Sequence, residues 1–364
     1  MSFFRLSEQV QELIFTFLPL SDIARTACSC KDLRNVAHLS LARIPTLDVT
    51  PYGRKADSVV RFASLRCYGL NRLQAPFSNV RDSSMGSLLA AAPDISVFNM
   101  QSCRYISGLA LSCIAERCNQ LCVLDLKGCK NIRDSELRKV LSASCANSLT
   151  DLNLSSTPIT DHGVAGLWLC NRLERVNLGI EPDSGISPDL VTDDGILQWI
   201  RGPNRESENP HPLRCLILRG RKAVSTASVE VLAKACLGLE ELDLRLVSVL
   251  PRHLTAISLS DLSKSLRQLR LFGEDSVDDH ALCAAAPKLP SLEVLGLGNA
   301  KVSNHGMVAL ARCERLRELY VIRNNLITTQ GITELVLKSS SLQLVHLIRI
   351  TAPVCDAFRS VCPG

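Results

Sequence analysis

Aromatic residues are scarce in this chain of 364 residues: Phe, Trp and Tyr make up 4% of it. A core with few rings must be built from Leu, Ile, Val, Ala and Cys. The apolar fraction of 46% suffices for a large one and excludes a disordered chain. Long apolar runs are missing as well. No stretch approaches the roughly 18 uninterrupted apolar residues of a membrane-spanning helix. Strong charge is missing too. A net charge of +5 is small for this length and demands neither nucleic acid nor an anionic membrane as partner. The N-terminal run MSFFRLSEQVQELIFTFLPL carries Glu8 and Glu12 inside its apolar pattern, and no small-residue cleavage site follows it. It does not read as a secretory signal, nor as an Arg-rich transit peptide. The expectation is a reducing compartment, cytoplasmic or nuclear, in which the 16 cysteines stay free thiols.

Motifs of catalysis are equally scarce. There is no Gly-rich phosphate loop, no G-x-S-x-G elbow and no H-E-x-x-H. His162, His280 and His305 share one periodic position but belong to separate helices. Cys113, Cys118 and Cys122 have metal-like spacing, yet no C-x-x-C pair supports zinc. The expectation is a chain with no catalytic residue, no metal and no cofactor, and therefore not an enzyme.

What the chain does have is repetition. Leu121-Cys122-Val123-Leu124-Asp125-Leu126 reads L-x-x-L-x-L, and the pattern recurs at Leu149, Leu173, Leu213, Leu239, Leu266, Leu292, Leu316 and Leu342. Ile95 opens a variant, Leu65 opens L-R-C-Y-G-L, and Ile44 opens I-P-T-L-D-V. This gives about twelve repeats, most of them 24 to 28 residues apart. A second periodic segment follows each strand pattern. Ile159-Thr160-Asp161-His162-Gly163-Val164 resembles the segments at Val191, Val302 and Ile327, with a weaker copy at Val277. Thr, Ser or Asp there can cap a helix, and apolar residues at helical spacing follow, as in Val164, Leu167 and Trp168.

Each repeat is therefore expected to be a short strand, a turn and a helix. Strands pair about 4.8 Å apart and helices pack about 8–10 Å apart, so stacking should curve the array with strands inside. Cys118, Cys170, Cys236 and Cys313 lie three residues before the next leading Leu, Cys145 lies four before, and Cys103 and Cys129 follow the strand. Over about residues 95 to 347 the pattern resembles the cysteine-containing class of leucine-rich repeats. The fold expected is α/β: a leucine-rich-repeat solenoid, a horseshoe with a concave parallel sheet and convex helices, over residues 44–364.

Residues 1–43 lie outside the repeat. Leu6, Val10, Leu13, Ile14, Phe17 and Leu18 fall on one helix face, and Pro19 ends that helix. Ser21 can cap a second helix over 22–27, and a third is expected over 31–37. Some forty residues cannot make an independent core and must pack on the solenoid, on a partner, or on both. The run from Leu6 through Asp22-Ile23-Ala24 to Cys28-Ser29-Cys30-Lys31-Asp32-Leu33-Arg34 resembles the F-box. Ser7 stands where that motif usually has Pro, and Leu33 where Trp is common. An F-box before cysteine-containing repeats resembles the F-box leucine-rich-repeat family. The resemblance implies a small N-terminal all-α domain docking on the adaptor of an SCF-type cullin-RING ubiquitin ligase, while the repeats bind a target protein. Leu6, Val10, Leu13, Ile14, Phe17, Leu18 and Ile23 are the adaptor-facing residues so implied. The alternative is a structural subunit of a large assembly, such as the nexin-dynein regulatory connections of a ciliary axoneme, also served by F-box leucine-rich-repeat proteins.

The third, fifth and seventh strand positions should line the open face. In the middle repeats these are mixed in charge, Lys127, Arg175, Arg219, Arg245 and Arg270 standing against Asp125, Asp151, Glu241 and Asp243. Towards the C-terminus they turn apolar. Arg245, Arg270, Phe272, Val294, Tyr320, Ile322, Leu344, His346 and Ile348 are the candidate partner-binding residues, the arginines poised for an acidic or phosphorylated rim. The repeat over 173–212 is enlarged by Pro-rich segments at 179–190 and 202–212, which read as surface loops. Val354, Phe358 and Val361 make a stripe that suits a C-terminal capping segment over 352–364.

Overall fold

The computed structural model describes residues 7–349, apart from 8–9, 12–13, 16–17, 19, 27, 30, 203–210, 248–250 and 274–276. The expected capping segment at 352–364 and most of the loop at 202–212 lie outside the described residues. Two compact units emerge, Met1–Leu152 and Asn153–Gly364. The N-terminal helices thus group with the first repeats and do not form a unit of their own, as a segment too short for its own core requires.

The first unit begins with helices Leu20–Thr26 and Lys31–Ala42. Strands β1 (Thr46–Asp48), β2 (Arg72–Gln74), β3 (Val97–Asn99) and β4 (Val123–Asp125) then alternate with helices and pair in parallel, each with its sequence neighbour. Strand β5 (Asp151–Asn153) reaches the boundary. The second unit continues with β6 (Arg175–Asn177), β7 (Cys215–Ile217), β8 (Glu241–Asp243), β9 (Gln268–Phe272), β10 (Val294–Gly298), β11 (Glu318–Ile322) and β12 (Leu344–Ile348). These also pair in parallel in chain order. No helix is long and apolar enough to cross a membrane among the described residues.

The leading, fourth and sixth positions of the strand pattern are the core. Leu121, Leu124 and Leu126 are fully buried, as are Leu239, Leu242 and Leu244. Each such side chain removed from water contributes about 1.5–3 kcal/mol, and it is the next repeat that covers it. One frame differs from the expectation. The second repeat opens at Leu70, which is fully buried, while Leu65 is 60% exposed. Its sixth position is Ala75, whose small side chain hides the L-x-x-L-x-L signature, and the chance run at Leu65 imitates it.

The cysteine after the strand has a fixed partner. Cys103 Sγ donates to the Ala75 carbonyl and Cys129 Sγ to the Met100 carbonyl, both at 3.0 Å. Arg221 stands at the same position and is fully buried. Its Nε donates to the Leu178 carbonyl at 2.7 Å. Burial lowers its pKa to about 10, against the opposing charge of Asp161.

The residue before this position closes the strand with a left-handed turn. Gly128 and Gly220 suit it, and Ser102, Ser156 and Asn299 accept it. Phe77 (φ 55°) and Leu246 (φ 58°) do so at a cost of roughly 1–2 kcal/mol each.

Of the expected caps, Thr160, Thr192 and Ser303 each accept from the N–H two residues on, Asp278 accepts from the Ala281 N–H, and Thr328 makes no side-chain cap bond; Ser107 and Ser225 cap two further helices in the same way. The residue after the cap has a longer reach. Asp161 accepts from the Thr192 N–H and hydroxyl at 2.7 Å each, and Asp279 accepts from the Ser303 N–H at 2.8 Å. One helix start is thereby tied to the next.

The Gly of each T-D-x-G segment leaves room for this link. A Cβ on Gly195 would strike Asp161, and one on Gly306 would strike Asp279. Gly195→Ala should cost about 1–3 kcal/mol in denaturant unfolding. In the Asp161→Ala background the same change should cost less by about 0.5 kcal/mol or more; strictly additive costs would contradict the coupling.

Candidate functional site

Two surfaces hold the residues singled out by the sequence, one on each unit. On the first unit, Val10, Gln11, Ile14 and Phe15 are helical, and the Gln11 N–H donates to the Ser7 carbonyl at 3.0 Å. Positions four apart share a helix face. Gln11 and Phe15 make the inward face, Phe15 being 2% exposed. Val10 and Ile14 make the outward face, 41% and 38% exposed. Leu18 is half-buried. Leu6, Leu13 and Phe17 lie outside the described residues.

Ile23 corrects the expected set. At 1% exposure it packs within its own unit, as do Val36, Ala37 and Leu41 of the following helix, so it cannot face a partner. Phe15 was missed as a core residue because its i−4 neighbour, Gln11, is polar and broke the apolar stripe.

On the second unit the strand register sets three rows of side chains. Arg270, Gly296, Tyr320 and His346 are aligned across β9–β12, as are Phe272, Gly298, Ile322 and Ile348. Val294 lies in the adjoining row with Glu318 and Leu344. Eight of the nine candidate partner-binding residues therefore belong to one strand face, and the ninth, Arg245, reaches the Phe272 ring on it. Leu344 and Ile348 are exposed, and the other seven are half-buried.

Much of their chemistry is already spent within the face. The Phe272 ring lies over Gly296 and Gly298, where added Cβ atoms would meet it at 2.9 and 2.8 Å. The Arg245 guanidinium stands 5.7 Å from the centre of that ring. Tyr320 and His346 stack at 4.3 Å with planes 11° apart, and the Tyr320 hydroxyl donates to Glu318 at 3.0 Å. That bond to a carboxylate holds the phenol above its ordinary pKa.

The arginines were expected to await an external acid. They are internally matched instead. Arg245 grips Asp243 through Nε and Nη2 at 2.9 and 2.6 Å, and Asp243 is 1% exposed. Arg270 Nη1 donates to Glu241 at 2.6 Å. Arg175 lies 3.8 Å from Glu241 as well. Arg219 pairs with Glu181 at 3.0 Å, which ties the first inserted loop to the strand face. Burial alone would raise the Glu241 carboxyl, but the bond from Arg270, a bond from Cys215 and the charges of Arg270 and Arg175 outweigh it and lower its pKa.

What remains open is the rim. Leu246, Phe272, Ile322 and Ile348 line a depression of about 330 Å³ with Gly298, Asn299, Arg323 and Arg349. Leu246 was missed, and its signal was a bulky residue at a turn position that other repeats fill with Gly, Ser or Asn.

Every described cysteine is a free thiol. Burial pushes Cys67 up to about 11, and Cys118, Cys129 and Cys313 up to about 12. Among the described residues no cluster of His, Cys, Asp and Glu suits a metal ion. His162, His280 and His305 belong to three separate helices.

No protein-family model matches the chain. Among solved structures it is similar to a chain of the yeast Rad7 and Elc1 complex, with 15% identity over 87% of this chain and 82% of that one, at a TM-score of 0.59. An internalin (inlF) of Listeria monocytogenes aligns at 14% identity over 89% of this chain and 93% of that one, with a TM-score of 0.49. A chain of the TLR13–ssRNA13 complex aligns at 17% identity over 80% of this chain and 44% of that one, with a TM-score of 0.40. The last two are too distant to carry an argument. The fold is that of a leucine-rich-repeat solenoid.

Glu241→Gln should destabilise the protein by about 1–3 kcal/mol at neutral pH. A carboxyl with a lowered folded pKa contributes fully above its unfolded value and loses that contribution as pH falls through the folded one. The gap between wild type and variant should therefore close below the ordinary Glu range. A gap that is flat with pH in urea unfolding would contradict the network.

Proposed function

We propose that this chain is a non-catalytic recognition subunit of an SCF-type cullin-RING ubiquitin ligase. Its N-terminal helices hold the adaptor and its strand face holds a target protein. The observation that carries the reading is the Val10–Ile14 pair: two apolar side chains one helical turn apart, exposed on a helix whose opposite face is sealed by Phe15. Apolar side chains paired in this way suit coverage by a second polypeptide. The F-box resemblance of residues 6–34 names the kind of polypeptide. The likeness to a chain of the Rad7 and Elc1 complex is consistent with it, since that structure is of two proteins bound together.

The target surface is the Phe272, Tyr320, Ile322, Leu344 and Ile348 region with its rim depression. Because Arg245 and Arg270 are already paired, the target is recognised there mainly through apolar and aromatic contacts. Catalysis would rest on proximity: a held target brings its lysine to the ubiquitin carrier at high effective concentration. The setting proposed is a reducing one, cytoplasmic or nuclear.

Affinity purification from cells tests both ends. Tagged wild type should recover adaptor and cullin. Ile14→Asp should lose both, by about ten-fold or more, with the melting temperature unchanged because the side chain is outside the core. Tyr320→Ala should keep adaptor and cullin and lose the target. Recovery of axonemal or other assembly subunits without cullin, unaffected by Ile14→Asp, would contradict the ligase reading in favour of a scaffold.

A further inference from the structure

A second rim feature lies on the first unit. A depression of about 380 Å³ is lined by Gly53, Arg54, Phe77, Ser102, Arg104 and Tyr105, among others. Phe77 is 75% exposed and Tyr105 55% exposed. Phe77 does not gain this exposure cheaply. It occupies the left-handed turn at φ 55°, where Ser102 and Ser156 sit without a ring, so the backbone is strained to hold an aromatic side chain in water. Neither stability nor turn geometry accounts for a Phe there.

The two charged side chains that line the depression are both arginines. Arg54 and Arg104 are exposed, and neither side chain has an ion-pair partner among the described residues. Arg81 is exposed as well, its guanidinium 5.7 Å from the centre of the Tyr105 ring. The nearby carboxylates Asp57 and Asp82 are half-buried and engaged in hydrogen bonds. Asp57 accepts from the Arg81 N–H at 2.9 Å, and Asp82 accepts from the Ser107 N–H and hydroxyl at 2.8 and 2.6 Å. The backbone of both arginines is held: Asn79 donates to the Arg54 carbonyl at 2.7 Å and Asn131 to the Arg104 carbonyl at 2.6 Å. The contrast with the second unit is direct, since there the arginines of the strand face are consumed by Asp243 and Glu241.

We propose that this depression docks an acidic segment of a partner protein, with an apolar side chain of that segment against Phe77 and Tyr105 and its carboxylates against Arg54 and Arg104. Exposed aromatics give the apolar anchor, and arginines give forked donors that match carboxylates. A peptide fits better than a lipid surface or nucleic acid: the basic cluster is three side chains around a small concavity on a chain with a net charge of only +5.

Fluorescence anisotropy on the full chain tests this, with a fluorescein-labelled peptide of alternating Glu and Leu as the probe. Wild type should bind it, and a peptide of alternating Lys and Leu should not bind. Phe77→Ser and Arg104→Ala should each weaken binding by about ten-fold. Phe77→Ser should also melt no lower than wild type, because Ser tolerates this turn. Adaptor recovery should be untouched by either change, which separates this site from the N-terminal helix. Absence of peptide binding, equal affinity in the variants, or equal binding of the Lys–Leu peptide would overturn the proposal. So would phosphatidylserine vesicles that bind wild type, spare the two variants and exclude the peptide, since they would assign the site to lipid.

Discussion

A single repeat of this chain cannot bury its own leucines, and everything else in the molecule follows from that. The leading, fourth and sixth strand positions vanish into the stack, and so does the residue after the turn, whether cysteine at Cys103 and Cys129 or arginine at Arg221. Helix starts are locked to one another through Asp161 and Asp279. The positions that stacking leaves over are the third, fifth and seventh of the strand and the turn that closes it. Within the repeats, these are the positions left to meet other molecules.

The leftover positions are not uniformly available. On the second unit the charged ones neutralise each other, since Asp243 and Glu241 hold Arg245, Arg270 and Arg175. Charges fixed in this way keep side chains in place and leave apolar contacts to discriminate between partners. Phe272 lies flat on two glycines, and Tyr320 stacks on His346, so these rings lose little freedom on binding. On the first unit Arg54 and Arg104 have no such partners among the described residues, beside Phe77 and Tyr105.

The repeat spacing, the caps and the strand face were legible in the sequence because each depends on residue type at a fixed offset. The second repeat was misframed at Leu65 because Ala75 fills a leucine position, and small residues carry no periodic signal. Ile23 was implied as adaptor-facing by the F-box resemblance, and a motif does not say which of its apolar residues the chain itself will cover. The pairing of Arg270 with Glu241 joins neighbouring repeats, a relation invisible within one repeat. Phe77 and Leu246 were readable in principle: a bulky residue at a turn that elsewhere holds Gly or Ser is a local rule broken. The T-D-x-G coupling was half-read, the cap from its residue types but not the reach of the Asp to the next helix, which only stacking creates.

The central claim is that the N-terminal helix offers its outward apolar pair to a second protein. Hydrogen exchange on the full chain, with and without the purified adaptor, measures this directly. Amides of the N-terminal helices, including those at Val10 and Ile14, should gain protection on mixing, while the strands β9–β12 keep theirs unchanged. Exchange in those helices that is identical in the presence and absence of adaptor would contradict the account and leave the segment as a cover for the first repeats.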